Sequence, residues 1–534
     1  MKFIIPRGLD LTDESLYVLN AKYPKSIEFG STYYHVLTSQ LWSIAGNIVN
    51  FRLIGLLIVL VASFSIAGAT WSLTRNAQND YWYLLLLLSL SGSFALIYGS
   101  LLNYSPSYNQ LVLLFGSLGL ASSIYLAIFV NPITRSILWV IYGSSITWAG
   151  LCKPSVLVPL WLLCVLVRLA QKKSVRRFLL SEILSLLFIF ASASILYLIL
   201  LKDYLTISQI KIGLLVLGNL QEMNALQVFG LNISRTFASG AVAIGFLCLF
   251  YLVRLLNFPL LRRFDLPIRS NLIYAAIAFL GLFWVGGSDR WKSQSTLIHF
   301  TLFLLLTLVI NDFKIDSKFS RIVSVLFLFP YALSIGTNNL YFAQVLFYLG
   351  CWGSAIGIII YKSTILAQMN KVVIGITTTL MIVLLMQQLT YIGRNSYGLL
   401  LPYSSNNTVQ KVTGTGSLRL DPETIAMVRG ASRAREDCNI GPRDKLISTD
   451  ALSGLSLLLD MEPAGAAWIN DEKTLRLVSD LEITRDSNHV IWAFRRENPQ
   501  QRIEFMGQYS TKSFIKCAQF PFGSEDQIQL WRSN

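Results

Sequence analysis

Three carboxylates fall within five residues near the start of the chain, in the run Arg7-Gly8-Leu9-Asp10-Leu11-Thr12-Asp13-Glu14-Ser15-Leu16-Tyr17. A carboxylate beside an incoming nucleophile can take its proton as the new bond forms, which is general-base chemistry. The same run also reads as a helix start. Thr12 is a capping residue type, and Asp13 and Glu14 suit the positive first turn of a helix. A lone lysine, Lys153, stands between two apolar runs, where a charge is expensive unless it has a partner.

A membrane frame must hold these groups. Of 534 residues, 54% are hydrophobic and 14% charged, whereas a soluble domain carries about 25% charged residues. That balance excludes an ordinary cytosolic enzyme and a disordered chain. The apolar residues gather in blocks between about 52 and 393, and a helix needs about 20 of them to cross roughly 30 Å of hydrocarbon. The predicted spans are 52–69, 82–101, 110–130, 136–151, 155–169, 178–201, 236–256, 272–287, 294–311, 322–336, 341–361 and 372–392. Lys153-Pro154 splits 136–169 into two short halves. A turn is expected there, because proline removes a backbone donor and restricts the residue before it.

Residues 394–534 hold 17 basic and 17 acidic residues, so the first 393, with 27 and 12, carry the whole net charge of +15. Since this excess lies in loops between apolar blocks, it points to topology and anionic lipid headgroups rather than to nucleic acid. Sixteen Lys and Arg residues, from Arg75 through Arg168 to Lys371, fall in one set of loops. Six fall in the other: Lys153, Lys202, Lys211, Arg235, Arg290 and Lys292. The richer set is expected in the cytoplasm. Residues 1–51 and the tail then both lie outside, as an even number of spans requires. Residues 1–50 lack the order of a signal peptide. The expectation is therefore a first helix upstream of Met1, the alternative being a short amino terminus that crosses unaided.

The predicted architecture is thus a polytopic α-helical membrane protein of about twelve spans with a small soluble α/β carboxy-terminal domain. Its parts are an outer amino-terminal segment (1–51), a transmembrane domain (52–393) and an outer, periplasmic or extracellular domain (394–534). In that last part, Asp421-Pro422-Glu423 opens a helix over 422–437, with an acceptor at the cap and proline in the first turn. Lys445 to Ser448 and Val490 to Phe494 read as strands, and 473–483 as a helix. Cys438 and Cys517 are the tail's cysteines, a disulfide candidate in an oxidising compartment. Cys152, Cys164, Cys248 and Cys351 lie in or beside spans and read as packing residues.

The Asp13-Glu14-x-x-Tyr17 run precedes an aromatic segment (Tyr33, Tyr34, Leu41-Trp42) and then many spans. This layout resembles the GT-C superfamily of glycosyltransferases, in particular the protein mannosyltransferase and aminoarabinose transferase branch. Lys153-Pro154, at the outer end of a short hairpin, is similar to the Lys-Gly or Lys-Pro element of those enzymes. The resemblance implies transfer of a hexose or pentose from a polyprenyl-phosphate-linked donor to an acceptor on the non-cytoplasmic side of the bacterial inner membrane, with inversion. The protein must then orient the acceptor, remove its proton and stabilise the departing phosphate. Asp13 would be the base, with Glu14 orienting it, and Asp10 is a second candidate. Lys153, then Arg290 and Lys292, would meet the phosphate. Tyr17, and Tyr104 and Asn338 in two uncharged outer loops, would line the sugar site.

Several relatives carry a further acidic residue in a later outer loop, which 102–109 lacks; Asp203, Glu222 and Asp289 are alternatives. No cofactor is expected, and a divalent metal is left open. The three histidines (His35, His299, His489) form no zinc spacing, and no Walker or Rossmann pattern occurs. The expected partners are the lipid-linked donor, membrane lipids and an acceptor that the sequence does not identify. A transporter or flippase of lipid-linked glycans, and a polysaccharide polymerase or ligase, are the competing readings. A transporter would more often show related halves, and no half-to-half repeat stands out.

Overall fold

The computed structural model describes residues 5–26, 32–74, 81–96, 104–129, 131–169, 175–202, 317–336, 344–362, 405–449, 452–467, 489–495, 514–523 and 526–533, with a few single positions between them. Two helices, α1 (Asp13–Lys22) and α2 (Tyr34–Ala45), precede the apolar set. That set comprises α3 (Ile48–Thr74), α4 (Tyr81–Ala95), α5 (Tyr108–Ile128), α6 (Pro132–Cys152), α7 (Leu157–Leu169), α8 (Val175–Leu196), α9 (Ser317–Ser334) and α10 (Gly350–Lys362). Among the described residues three stretches, Ile48–Thr74, Tyr108–Ile128 and Phe178–Leu201, are long and apolar enough to cross a membrane. Tyr83–Ala95, Pro154–Leu169 and Arg321–Ser334 are shorter apolar helices. The spans expected at 236–256, 272–287, 294–311 and 372–392, and the helix at 473–483, lie outside the described residues.

Among the described residues, α5 is a deeply buried helix and α8 an exposed one: 67% of the apolar stretch of α5 is buried, against 6% for that of α8. The exposed side of α8 carries Leu179, Leu180, Ile183, Leu187 and Phe190, a surface that suits lipid rather than water. Small residues let helices approach closely, as in membrane packing generally. At Gly353 of α10 an added Cβ would lie 2.5 Å from the backbone of Leu90 and Ser91. Beside it the hydroxyls of Ser91 and Ser354 share a hydrogen bond of 2.7 Å.

The break at Lys153-Pro154 is as expected. Lys153 is extended at the end of α6, and a 3-10 turn (Pro154–Val156) starts the next helix. Arg168, expected as a loop charge, is instead only 2% exposed. Its guanidinium pairs with Glu182 at 2.6 Å and lies over the Trp139 and Tyr142 rings. An arginine in the last turn of an apolar helix folds back on its neighbours when a carboxylate is within reach, because burial of an unpaired charge is costly.

The tail contains a two-stranded antiparallel pair, β1 (Thr408–Val412) and β2 (Gly416–Leu420), followed by α11 (Pro422–Asp437). Next come β3 (Lys445–Ser448), α12 (Gly454–Leu458), β4 (Glu462–Pro463), β5 (Val490–Arg495), β6 (Phe514–Phe522) and β7 (Asp526–Ser533). The second sheet has the order β4-β3-β5-β7-β6, parallel on one side of β5 and antiparallel on the other. The expected cap of α11 is present: the Asp421 carboxylate accepts from the Thr424 amide at 2.9 Å. Cys438, at the end of α11, is joined to Cys517 of β6, at the register shift between Lys516 and Ala518. Cys152, Cys164 and Cys351 are buried thiols; Cys248 lies outside the described residues.

The amino-terminal segment and the tail share one core. Leu9, Leu11, Val18 and Leu19 pack with Leu418, Leu420, Met427, Leu455 and Leu458. The backbone joins too: the Gly8 amide donates to the Arg419 carbonyl (2.8 Å), and the Arg419 amide to the Pro6 carbonyl (2.7 Å). Residues 6–22 and the tail therefore sit at the same end of the bundle.

Candidate active site at the acidic amino-terminal turn

The acidic run folds as a loop closing into α1, and its three carboxylates have different surroundings. Asp10, rather than Thr12, supplies the cap. Thr12 occupies the N-cap position, but its side chain makes no capping bond. The Asp10 carboxylate instead accepts from the Thr12 amide (2.8 Å), the Thr12 hydroxyl (2.7 Å) and the Glu14 amide (3.2 Å). A carboxylate is the stronger acceptor for the orphan amides of a helix start, and the Thr12 hydroxyl is used as a donor to it. Burial, and next the neighbouring Glu14, push the Asp10 carboxyl up to about 7.

Glu14 is tied down. Its two oxygens meet Arg52 Nε and Nη2, each at 2.6 Å. The Ser105 hydroxyl donates to the same carboxylate at 2.6 Å. Arg52 also donates to the carbonyls of Ile5 (2.6 Å), Arg7 (2.9 Å) and Gly8 (2.8 Å). All five N–H donors of its guanidinium are engaged, and the side chain is 2% exposed. Arg52 is the first residue of the expected span 52–69. Its signal was the cost of a charge at the head of an apolar run, with acids a short way upstream.

Gly55, one turn along α3, makes room for this cluster. An added Cβ would stand 1.6 Å from the Tyr104 carbonyl oxygen, so only glycine lets the 104–105 backbone reach Glu14. Gly55→Ala is expected to destabilise the protein by about 1–3 kcal/mol through overpacking, read as a lower Tm in detergent. Gly68→Ala in the same helix, where the nearest atom is the Tyr125 hydroxyl at 3.5 Å, is expected to leave Tm unchanged or raise it.

Asp13, the first residue of α1, is half-buried. It acts electrostatically on the phenols of Tyr17, Tyr34, Tyr98 and Tyr108. Three of these form a triangle, with ring centroids 6.3 Å apart for Tyr17 and Tyr34, 6.2 Å for Tyr17 and Tyr108, and 6.0 Å for Tyr34 and Tyr108. Burial first, and then the charge of Asp13, raise the Tyr17 phenol well above its ordinary value, so it stays a neutral hydroxyl. Tyr98 shares a hydrogen bond with the Ser107 hydroxyl (3.0 Å), and Tyr348 donates to Asn109 (2.8 Å). The result is a half-buried carboxylate among hydroxyl and aromatic groups, a setting in which a polar acceptor can be held and deprotonated.

Lys153 lies at the same end of the bundle. The Tyr33 amide donates to the Leu151 carbonyl at 2.9 Å, and Tyr34 is within electrostatic range of both Asp13 and Cys152. Lys153 is 5% exposed, and its ammonium donates to the Leu333 carbonyl at 2.9 Å, at the end of α9. Burial pushes it down to about 7. Tyr104 is buried and its hydroxyl donates to the Leu96 carbonyl (3.1 Å). Arg290, Lys292 and Asn338 lie outside the described residues, as do Asp203, Glu222 and Asp289. Among the described residues no three His, Cys, Asp or Glu side chains gather as a metal site.

No protein-family model matches the chain, and no curated protein matches it. Among solved structures, the chain is similar to a crystal structure of ArnT from Cupriavidus metallidurans in the apo state, with a TM-score of 0.37 and 12% identity. The match covers 99% of this chain and 95% of that one.

Proposed function

We propose that the chain is a membrane glycosyltransferase that moves a hexose or pentose from a polyprenyl-phosphate donor to an acceptor outside the cytoplasm. The observation that carries this reading is the setting of Asp13. Asp13 stands half-buried at the first position of α1, within electrostatic range of the phenols of Tyr17, Tyr34, Tyr98 and Tyr108. In the reaction, Asp13 takes the proton from the acceptor, whose freed lone pair attacks the anomeric carbon. The bond to the phosphate oxygen breaks from the opposite face, so the configuration inverts. The phosphate leaves with the bonding electrons towards Lys153, which exchanges the Leu333 carbonyl for it. The positive bias of the opposite loops and the Cys438–Cys517 bridge support a multi-pass bacterial inner-membrane protein with its tail in the periplasm.

The test is transfer from synthetic polyprenyl-phosphate sugars by purified protein, comparing wild type with Lys153→Ala. Loss of a charged hydrogen bond to the donor is expected to raise donor KM about tenfold. The Lys153 charge is present below its value of about 7 and lost above it, so wild-type donor KM should climb as pH rises through that range. The Lys153→Ala profile should lack that rise, leaving only what Asp10, which titrates in the same range, contributes. Unchanged donor kinetics would remove Lys153 from the phosphate site. Transport of an intact lipid-linked glycan without transfer would favour the flippase reading.

A further inference from the structure

Besides the backbone bonds of Arg419 to Pro6 and Gly8, the tail grips the acidic site from behind at two further points. The first is Asp460, whose carboxylate meets Lys22 of α1 at 2.5 Å and Arg435 of α11 at 3.5 Å. Asp460 follows the last turn of α12 with φ +49°, a left-handed position where glycine is the cheaper residue. An aspartate there is costly to the tail's own fold, and its carboxylate is used across the boundary. The turn between β1 and β2 leaves space for the pair, since a Cβ on Gly414 would lie 2.4 Å from the Asp460 carboxylate and 2.5 Å from the Lys22 ammonium.

The second point is that same turn. The Thr415 carbonyl accepts from the Ile48 amide at 2.9 Å, satisfying an orphan donor in the first turn of α3, one turn before Arg52. Between the two points, the Gly454 amide donates to the Leu11 carbonyl at 2.8 Å. A Cβ on Gly454 would fall 2.7 Å from the Leu11 Cα, so α12 lies directly against the acidic loop.

We infer that the carboxy-terminal domain is a positioning element of the acidic site, with Asp460 fixing α1 through Lys22 and the β1–β2 turn fixing α3 through Ile48. The domain thereby sets where Asp13 stands relative to the tyrosines and to Lys153. This assignment to catalysis rests on the reading of Asp13 as the base. The mechanical coupling stands independently of it.

Hydrogen exchange of the full-length protein in detergent tests the coupling. Asp460→Gly relieves the left-handed strain and removes only the carboxylate, so amides of β5 and β7 should keep their protection while amides of residues 16–22 exchange roughly fivefold faster. Reversing the pair, Lys22→Glu with Asp460→Lys, together with Arg435→Gln so that the new lysine does not face the Arg435 guanidinium, should restore the protection of α1. Asp526→Asn, which breaks the Arg495–Asp526 pair inside the tail, should leave α1 unchanged. In the transfer assay, Asp460→Gly should lower kcat with donor KM unchanged, and the reversal should recover it. Unchanged exchange of α1 in Asp460→Gly, failure of the reversal, or equal loosening by Asp526→Asn would overturn the proposal. If wild type shows no transfer while the exchange results hold, the glycosyltransferase reading fails and the coupling stands.

Discussion

Asp13→Asn is expected to abolish sugar transfer while leaving the protein folded and able to bind donor. The substitution keeps the size and hydrogen-bonding shape of the side chain but removes the lone pair that takes a proton, a loss of about 10²–10⁴-fold in kcat for general-base catalysis. The neighbouring acids are expected to act chiefly on stability, because Asp10 caps α1 and Glu14 holds Arg52. Asp10→Asn leaves one acceptor where two oxygens serve three donors, so it should lower stability by about 1 kcal/mol, as loss of a helix cap does. Its fall in kcat should be smaller than that of Asp13→Asn. Single-turnover kinetics with a labelled donor, together with Tm, separate the cases. Retained turnover in Asp13→Asn, with Asp10→Asn inactive at normal Tm, would move the base to Asp10.

The tail's local elements were legible because their signals are short-range. Asp421-Pro422 starts α11 where an acceptor and a φ-restricted first turn require, and β3 and β5 coincide with their β-branched and aromatic runs. The break at Lys153-Pro154 was legible for the same reason. Thr12 shows the limit of local rules. Its capping role passed to Asp10, two residues earlier, because a loop that turns back on itself brings a stronger acceptor to the helix start.

Long-range pairings left weaker traces. Glu14 was read as a partner of Asp13, but the partner that holds it is Arg52, 38 residues away. Ser105, 91 residues away, completes the set. A charge pattern lists the candidates for such a cluster without saying which of them meet. Gly55 carries the same lesson, since a glycine inside an apolar helix acquires meaning only once the Tyr104 carbonyl is known to lie against it. The shared core of residues 9–21 with the tail was likewise invisible to periodicity, although the expectation of an even number of spans already put both on one side.

Arg52→Met is expected to have the largest effect on stability of any single substitution at this site. It removes the cation from a carboxylate that is 1% exposed, and breaking a buried pair by deleting one partner costs about 3–5 kcal/mol. The carbonyls of Ile5, Arg7 and Gly8 lose their donor in the same step, so the acidic loop loses its anchor to α3 as well as its charge balance. Arg52→Lys keeps the charge but not the planar fork, and one ammonium cannot replace five N–H groups aimed at five acceptors. It should therefore recover only part of the loss. Adding Glu14→Gln to Arg52→Met removes the stranded charge and should raise Tm above that of Arg52→Met alone, without restoring transfer, because the three carbonyls stay orphaned. Thermal unfolding of the three variants in detergent, with hydrogen exchange of residues 5–22, measures this directly. If Arg52→Met melts with wild-type Tm, the pair is not the anchor of the loop. The placement of Asp13 would then have to be explained by the contacts with the tail alone.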